Sequence, residues 1–285
     1  MRFVQFLLEA PADENQRLSI TPLRTDEDLI QYLIQHASDA RWMFEEDEPF
    51  WRGTTGSVKR ALEGNTGVIV DPTQSERKSQ TINNYYTLML DNHPERTNWP
   101  KRSRSLIAGA NRQVALPYGT PFVTIPLNGT KIGYVNNRDI WDTVVNLSDE
   151  STADLPAMND VWGYFFEGSG NWNWDTLKQH ASAARLDDPA VKEKLAKFIE
   201  DTAVGYFDWD DMLNQHNVPA TGTVLSLITA LYANVSLSPR QTTGTTRDGS
   251  PNHPSTEVWI GGPTVMIASW ASWNDIRGRV LEGWK

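Results

Sequence analysis

Three short segments carry the residue types that chemistry needs. Trp51-Arg52-Gly53 sets an arginine at the end of an apolar run, directly before a glycine. Ser103-Arg104-Ser105-Leu106-Ile107 sets two hydroxyls two residues apart, a spacing that in a strand turns both to one face. Ser255-Thr256-Glu257-Val258-Trp259-Ile260 sets a glutamate where a polar loop runs into an apolar strand. A guanidinium fork suits paired anionic oxygens, and a fixed carboxylate stabilises positive charge as it develops. Each segment also has an ordinary reading: Arg52 in a structural ion pair, Ser103 and Ser105 as strand-edge hydroxyls, Glu257 as solvated surface. It is their occurrence together, in this order, that points to a site.

Composition narrows the class around them. The chain of 285 residues has 39% hydrophobic and 22% charged residues, an ordinary globular balance. Its net charge of −10, relieved only by the short Lys101-Arg102-Ser103-Arg104 run, repels phosphate backbones. General nucleic-acid binding is therefore not expected, although a few cations would suffice for one small anionic ligand. The absence of cysteine excludes disulfides, thiolate metal sites and a cysteine nucleophile. The histidines His36, His93, His180, His216 and His253 show no metal-ligand spacing, so no metal is expected. Asp208-Trp209-Asp210-Asp211 lacks the alternation of a calcium loop and reads as a helix start. Neither a Gly-x-Gly-x-x-Gly fingerprint nor a phosphate-loop lysine motif occurs, so any dinucleotide is held outside a Rossmann fold. Even the apolar stretch 224–235 falls short of the roughly twenty residues a membrane span requires. A soluble protein without a membrane partner is expected.

The elements that must position the three segments are legible in outline. The apolar run over residues 1–9, broken by Gln5, is too short for a signal peptide and reads as a buried strand. Thr25 reads as an N-cap, followed by acidic Asp26, Glu27 and Asp28 and by Leu29, Tyr32, Leu33 and His36 at helical spacing. Strands are expected over 50–53, 67–70, 105–108, 122–125, 131–135, 257–260 and 265–268. Helices are expected over 79–92, over 190–202 after Asp188-Pro189, and over 224–235. Pro126-Leu127-Asn128-Gly129-Thr130 has the residues of a tight turn joining two strands. Residues 237–256 form a long polar loop, a kind of segment that tends to be functional. No linker separates autonomous domains. The expected architecture is one α+β domain over residues 1–285, with N-terminal helices and a helical insertion at about 141–236. The twelve tryptophans read mainly as core filling.

In order and in texture, the three segments resemble the arginine–serine–glutamate class of ADP-ribosyltransferases, which includes toxins and phage-encoded modifying enzymes. That class has an aromatic-Arg-Gly strand, a Ser-x-Ser strand, and a glutamate closing an acceptor loop. The apolar residues and glycine turn after Glu257, and the stretch from Pro121 to Gly129, follow its pattern as well. The resemblance implies a split antiparallel β-sandwich core and NAD as substrate. It implies that Glu257 stabilises the oxocarbenium-like state formed when the nicotinamide–ribose bond breaks. Ser103 or Ser105 would orient that carboxylate, with Ser103 the position the class uses. Arg52 would clamp the NAD phosphates and Gly53 would offer backbone groups to the nicotinamide amide. Ser255 and His253 would belong to the acceptor loop. Enzymes that modify arginine carry a second glutamate where this chain has Ser255, so the acceptor, a protein or another molecule including water, stays open. Arg104 stands at the centre of the serine motif, where the class has threonine.

Two other readings compete. One is a non-catalytic phage virion or assembly protein that retains the transferase fold, since fold does not imply activity. The other is a carbohydrate-binding or carbohydrate-active protein, which predicts exposed coplanar tryptophans such as Trp172 and Trp174 and a cleft with two carboxylates about 5–10 Å apart. The texture resembles a phage-encoded or bacterial effector, which implies action in a bacterial cytoplasm, with carriage in a virion as a variant.

Overall fold

The computed structural model describes residues 18–74, 91–92, 97–135, 174–194, 213–214, 217–233, 241–245 and 257–285. The strand expected over 1–9, nearly all of the helix expected over 79–92, the 208–211 cluster, Trp172, His253 and Ser255 lie outside the described residues. The chain forms two compact units, one of residues 1–82, 93–142 and 239–285, the other of residues 83–92 and 143–238.

In the first unit, strand β1 (Ser19–Leu23) leads into helix α1 (Asp26–His36). The helix begins where expected because Thr25 and Asp28 satisfy each other's backbone. Thr25 Oγ1 accepts the Asp28 N–H at 3.1 Å, and the Asp28 carboxylate accepts the Thr25 N–H at 3.3 Å. Leu29, Ile30 and Leu33 face the core, whereas Tyr32 is half-buried and His36 exposed. After the short helix α2 (Arg41–Glu45) come β2 (Phe50–Thr54), α3 (Gly56–Glu63) and β3 (Gly67–Asp71). Then follow β4 (Leu106–Gly109), the one-turn α4 (Arg112–Ala115), β5 (Thr120–Pro126) and β6 (Lys131–Val135). The unit closes with β7 (Gln241–Thr245), β8 (Glu257–Gly261), β9 (Thr264–Ile267) and the helix Trp270–Gly283.

These strands form a mixed α+β architecture around an antiparallel sheet, in the order β1-β3-β9-β5-β2-β4-β8-β6-β7. The ladder is uneven. β2 pairs with β5 at all five of its positions but meets β4 only where Trp51 lies opposite Gly109. That single pairing links a five-strand half to a four-strand half.

The turn over 126–130 joins β5 to β6 as expected, but the two strands do not form the hairpin its residues suggested. β5 lies between β2 and β9, and β6 between β8 and β7. The Gly261-Gly262-Pro263 turn does the same, carrying the chain from β8 in one half to β9 in the other. The two crossovers run side by side. The Leu127 N–H donates to the Pro263 carbonyl at 3.0 Å and Thr130 Oγ1 donates to it at 3.3 Å. Gly262 allows this approach, since a Cβ there would come within 2.8 Å of Thr130 Oγ1. One core cluster draws on both halves and on the helices, with Leu33, Phe44, Val70, Ile125, Val258, Val265 and Trp273 all buried. Trp51 and Trp273 are buried core-filling residues, Trp259 is buried outside that cluster, and Trp270 is exposed.

In the second unit, helix α5 (Trp174–Ala183) and helix α6 (Val224–Ala233) flank a turn in which Asp188 Oδ1 accepts the Ala190 N–H at 2.8 Å. That bond caps a helix at the position predicted from Asp188-Pro189. Among the described residues, no helix is long and apolar enough to cross a membrane.

Candidate functional site

The site lies where the ladder between β2 and β4 gives out. Arg52 projects from β2 across the gap, and its Nη1 donates to the Ile107 carbonyl on β4 at 2.6 Å. On the far side of β4, Glu257 occupies the first position of β8, in register with Gly109. Arg52, Gly53, Ile107, Gly109, Tyr118 and Glu257 line one narrow cleft. Residues of all three sequence segments thus meet on one surface, though far apart in the chain, the serine segment through Ile107 alone.

Glu257 is buried, with 4% exposure, so its carboxylate needs partners. Its Oε1 accepts from Arg102 Nε at 3.2 Å and from the Trp259 indole N–H in a short bond. Trp259 reaches the carboxylate because residues two apart in a strand share a face. Arg102 is equally buried, at 4%. Each buried group thus finds in the other an opposite charge to offset its loss of water.

The segment that delivers Arg102 is not the strand expected there. Arg102–Arg104 is a single 3-10 turn and β4 begins only at Leu106, so Ser103 and Ser105 do not sit on one strand face. Both serines are buried, at 3% and 4%. Ser105 Oγ donates its proton to the Lys101 carbonyl at 2.7 Å, and the Arg104 N–H donates to the same carbonyl at 3.0 Å, so the serine closes the turn. Neither serine is among the residues that line the cleft. Upstream, the Trp99 and Trp259 rings lie 5.3 Å apart. Pro100 packs closely over Gly133 and Gly261; a Cβ on Gly261 would come within 2.3 Å of it. Residues 99–105 therefore form an arch over the face of β4, β8 and β6 that carries Glu257.

Gly53 has a different constraint from the one its position suggested. A Cβ there would lie 2.1 Å from the Ala115 carbonyl oxygen and 3.0 Å from Tyr118. The glycine admits the backbone of α4 and the turn that follows it, rather than standing open to a ligand. With that segment in place the free volume inside the cleft is about 10 Å3, near the minimum for one water.

Arg102 and Trp259 are the site residues that sequence reasoning passed over. Trp259 could have been found from its i+2 relation to Glu257. Arg102 was hidden in a short basic run whose default reading is a solvated face. Ser255 and His253 lie outside the described residues. Among the described residues no cluster of three or more His, Asp or Glu side chains is placed to hold a metal ion. Comparison with protein-family models, with curated proteins and with solved structures finds no match.

Proposed function

We propose that the cleft is an NAD site and that the protein transfers ADP-ribose from NAD to an acceptor with release of nicotinamide. The observation that carries this reading is the meeting of Arg52, Gly53 and Glu257 on one cleft at the break between β2 and β4. The same break supports a split antiparallel β-sandwich of the ADP-ribosyltransferase kind. In this reading Glu257 stands beside the ribose and stabilises the oxocarbenium-like state as the nicotinamide leaves. Arg52 exchanges its bond to the Ile107 carbonyl for the NAD phosphates, where a guanidinium gains more from paired anionic oxygens. Ser105 donates its proton to the Lys101 carbonyl, so it braces the turn over residues 101–105 rather than the carboxylate itself. Residues 112–118 shift to admit the nucleotide, because the cleft as it stands holds little more than water. The chemistry calls for no metal. The acceptor is a protein or water, met by the loop that contains His253 and Ser255.

The same narrow cleft favours the second reading, a virion or assembly protein that retains the fold without turnover. A carbohydrate reading has less support, since among the described residues Glu257 is the one carboxylate lining the cleft. Nicotinamide release from NAD by the purified protein separates these. Glu257→Gln is expected to lower release by about 10²–10³-fold. Arg52→Ala is expected to weaken NAD binding by about tenfold or more, as the loss of a charged hydrogen bond does. If no nicotinamide forms even with a bacterial lysate as acceptor, and calorimetry detects no NAD binding, the transferase reading fails and the structural one replaces it.

A further inference from the structure

We infer that Arg102 is the positioning residue for Glu257, holding its carboxylate through a turn that Ser105 closes, so that a guanidinium rather than a hydroxyl sets the geometry of the site. The inference deepens the ADP-ribosyl transfer reading and rests on it for its catalytic meaning. Three observations carry it. Arg102 and Glu257 are both about one-twentieth exposed and meet at 3.2 Å. The Trp259 indole donates to the same Oε1, so two donors from separate segments hold one carboxylate oxygen. The turn bearing Arg102 is itself held, by Ser105 Oγ at the Lys101 carbonyl and by Pro100 packed closely over Gly133 and Gly261.

A guanidinium carries its charge at any working pH, so Arg102 is a permanent ionic partner for the buried carboxylate. The other charged or titratable groups bordering the same cleft are Arg52 from β2 and Tyr118 from the turn after α4. Arg52 reinforces the effect, but its Nη1 is bonded to the Ile107 carbonyl. The serine motif then acts at one remove: Ser105 shapes the turn and Arg102 touches the carboxylate.

The test uses the full chain with Arg102→Gln, Arg102→Lys and Trp259→Phe, read in two independent ways. The first is the pH profile of kcat and KM for nicotinamide release. Arg102→Gln should lower kcat about tenfold to a hundredfold, as loss of a group that orients a functional ligand does. KM for NAD should stay within about twofold, because Arg102 holds the carboxylate and not the nucleotide. The acid limb should move to higher pH, since removing a cation makes the carboxylate easier to protonate. Arg102→Lys should restore part of both. The second readout needs no turnover: carbon-13 NMR titration of the side-chain carboxyls, with the Glu257 signal assigned by its loss in Glu257→Gln. Its midpoint should rise in Arg102→Gln. A rise in KM with unchanged kcat would make Arg102 a nucleotide ligand and overturn the inference, as would an unmoved Glu257 titration. If Arg102→Gln does not fold, Trp259→Phe keeps the ion pair and removes one donor. It should raise the Glu257 midpoint by a smaller amount, and no change there overturns the inference. A wild type that releases no nicotinamide, yet whose Glu257 midpoint rises in Arg102→Gln, would sink the transfer reading and leave the positioning role standing.

Discussion

The five-strand half of the sheet and the four-strand half share one core but use their remaining surface differently. In the first half, β9 and the body of β5 are buried throughout, and Val265, Met266, Ile267, Val123 and Ile125 pack on both faces. In the second half the strands alternate. Leu106, Ala108, Val258, Ile260 and Ile132 join the core, while Ser105, Ile107, Gly109, Glu257, Trp259 and Gly133 form the opposite face. Three of those last positions are polar residues or a tryptophan that donates a hydrogen bond, and two are glycines under closely packed neighbours. One half is built for burial alone. The other carries a charge pair that burial by itself would penalise, held by the arch over residues 99–105.

The comparison can be broken most directly at the pair. Arg102→Met or Glu257→Leu alone should each lower unfolding stability by about 3–5 kcal/mol, because each strands a buried charge. The double variant should regain that loss and reach or exceed wild-type stability, though without turnover. Urea unfolding of the three variants reads this out, and equal losses in the single and double variants would show that the charges are not coupled. The next effect is at Gly53. Gly53→Ala should lose about 1–3 kcal/mol as the Ala115 backbone is pushed aside. Gly64→Ala, where nothing lies within 4 Å of the new methyl, should be neutral or slightly stabilising in the same urea unfolding measurement. The smallest effect sharpens the contrast from the dry side. Ile125→Val should lose about 0.5–1.5 kcal/mol and leave nicotinamide release per folded molecule unchanged. A drop in that rate would mean that the two halves are not functionally separable.

Much of this was readable in the chain, and what was not failed for definable reasons. Local signals worked for the Thr25–Asp28 cap, the apolar strands β2 to β6, β8 and β9, and the Asp188 helix start. They failed for β7, a polar strand inside the stretch 237–256 expected to be loop, because only pairing with β6 makes it one. Pairing did not follow, because Pro126-Leu127-Asn128-Gly129-Thr130 states that the chain turns and not which strand it will join. Glu257, Arg52 and Gly53 could be picked out together, and they do share a cleft. The serine motif was misread as strand because its two-residue spacing fits an extended chain. A 3-10 turn of three residues is too short to leave a periodicity of its own. Arg102 was illegible for a simpler reason. Whether a cation faces water or a buried carboxylate depends on a partner more than a hundred residues away, here Glu257, 155 positions on.

The side-by-side crossovers have a kinetic consequence. β8 is the middle strand between β4 and β6, and β9 the middle strand between β3 and β5. A chain that has formed every other element therefore still has a slot open in each half, and both slots are closed by neighbouring strands joined through Gly261-Gly262-Pro263. Loop-closure entropy makes such distant pairings slow, and nothing local can substitute for them. Insertion of that one segment completes the core and delivers Glu257 to Arg102 in the same event.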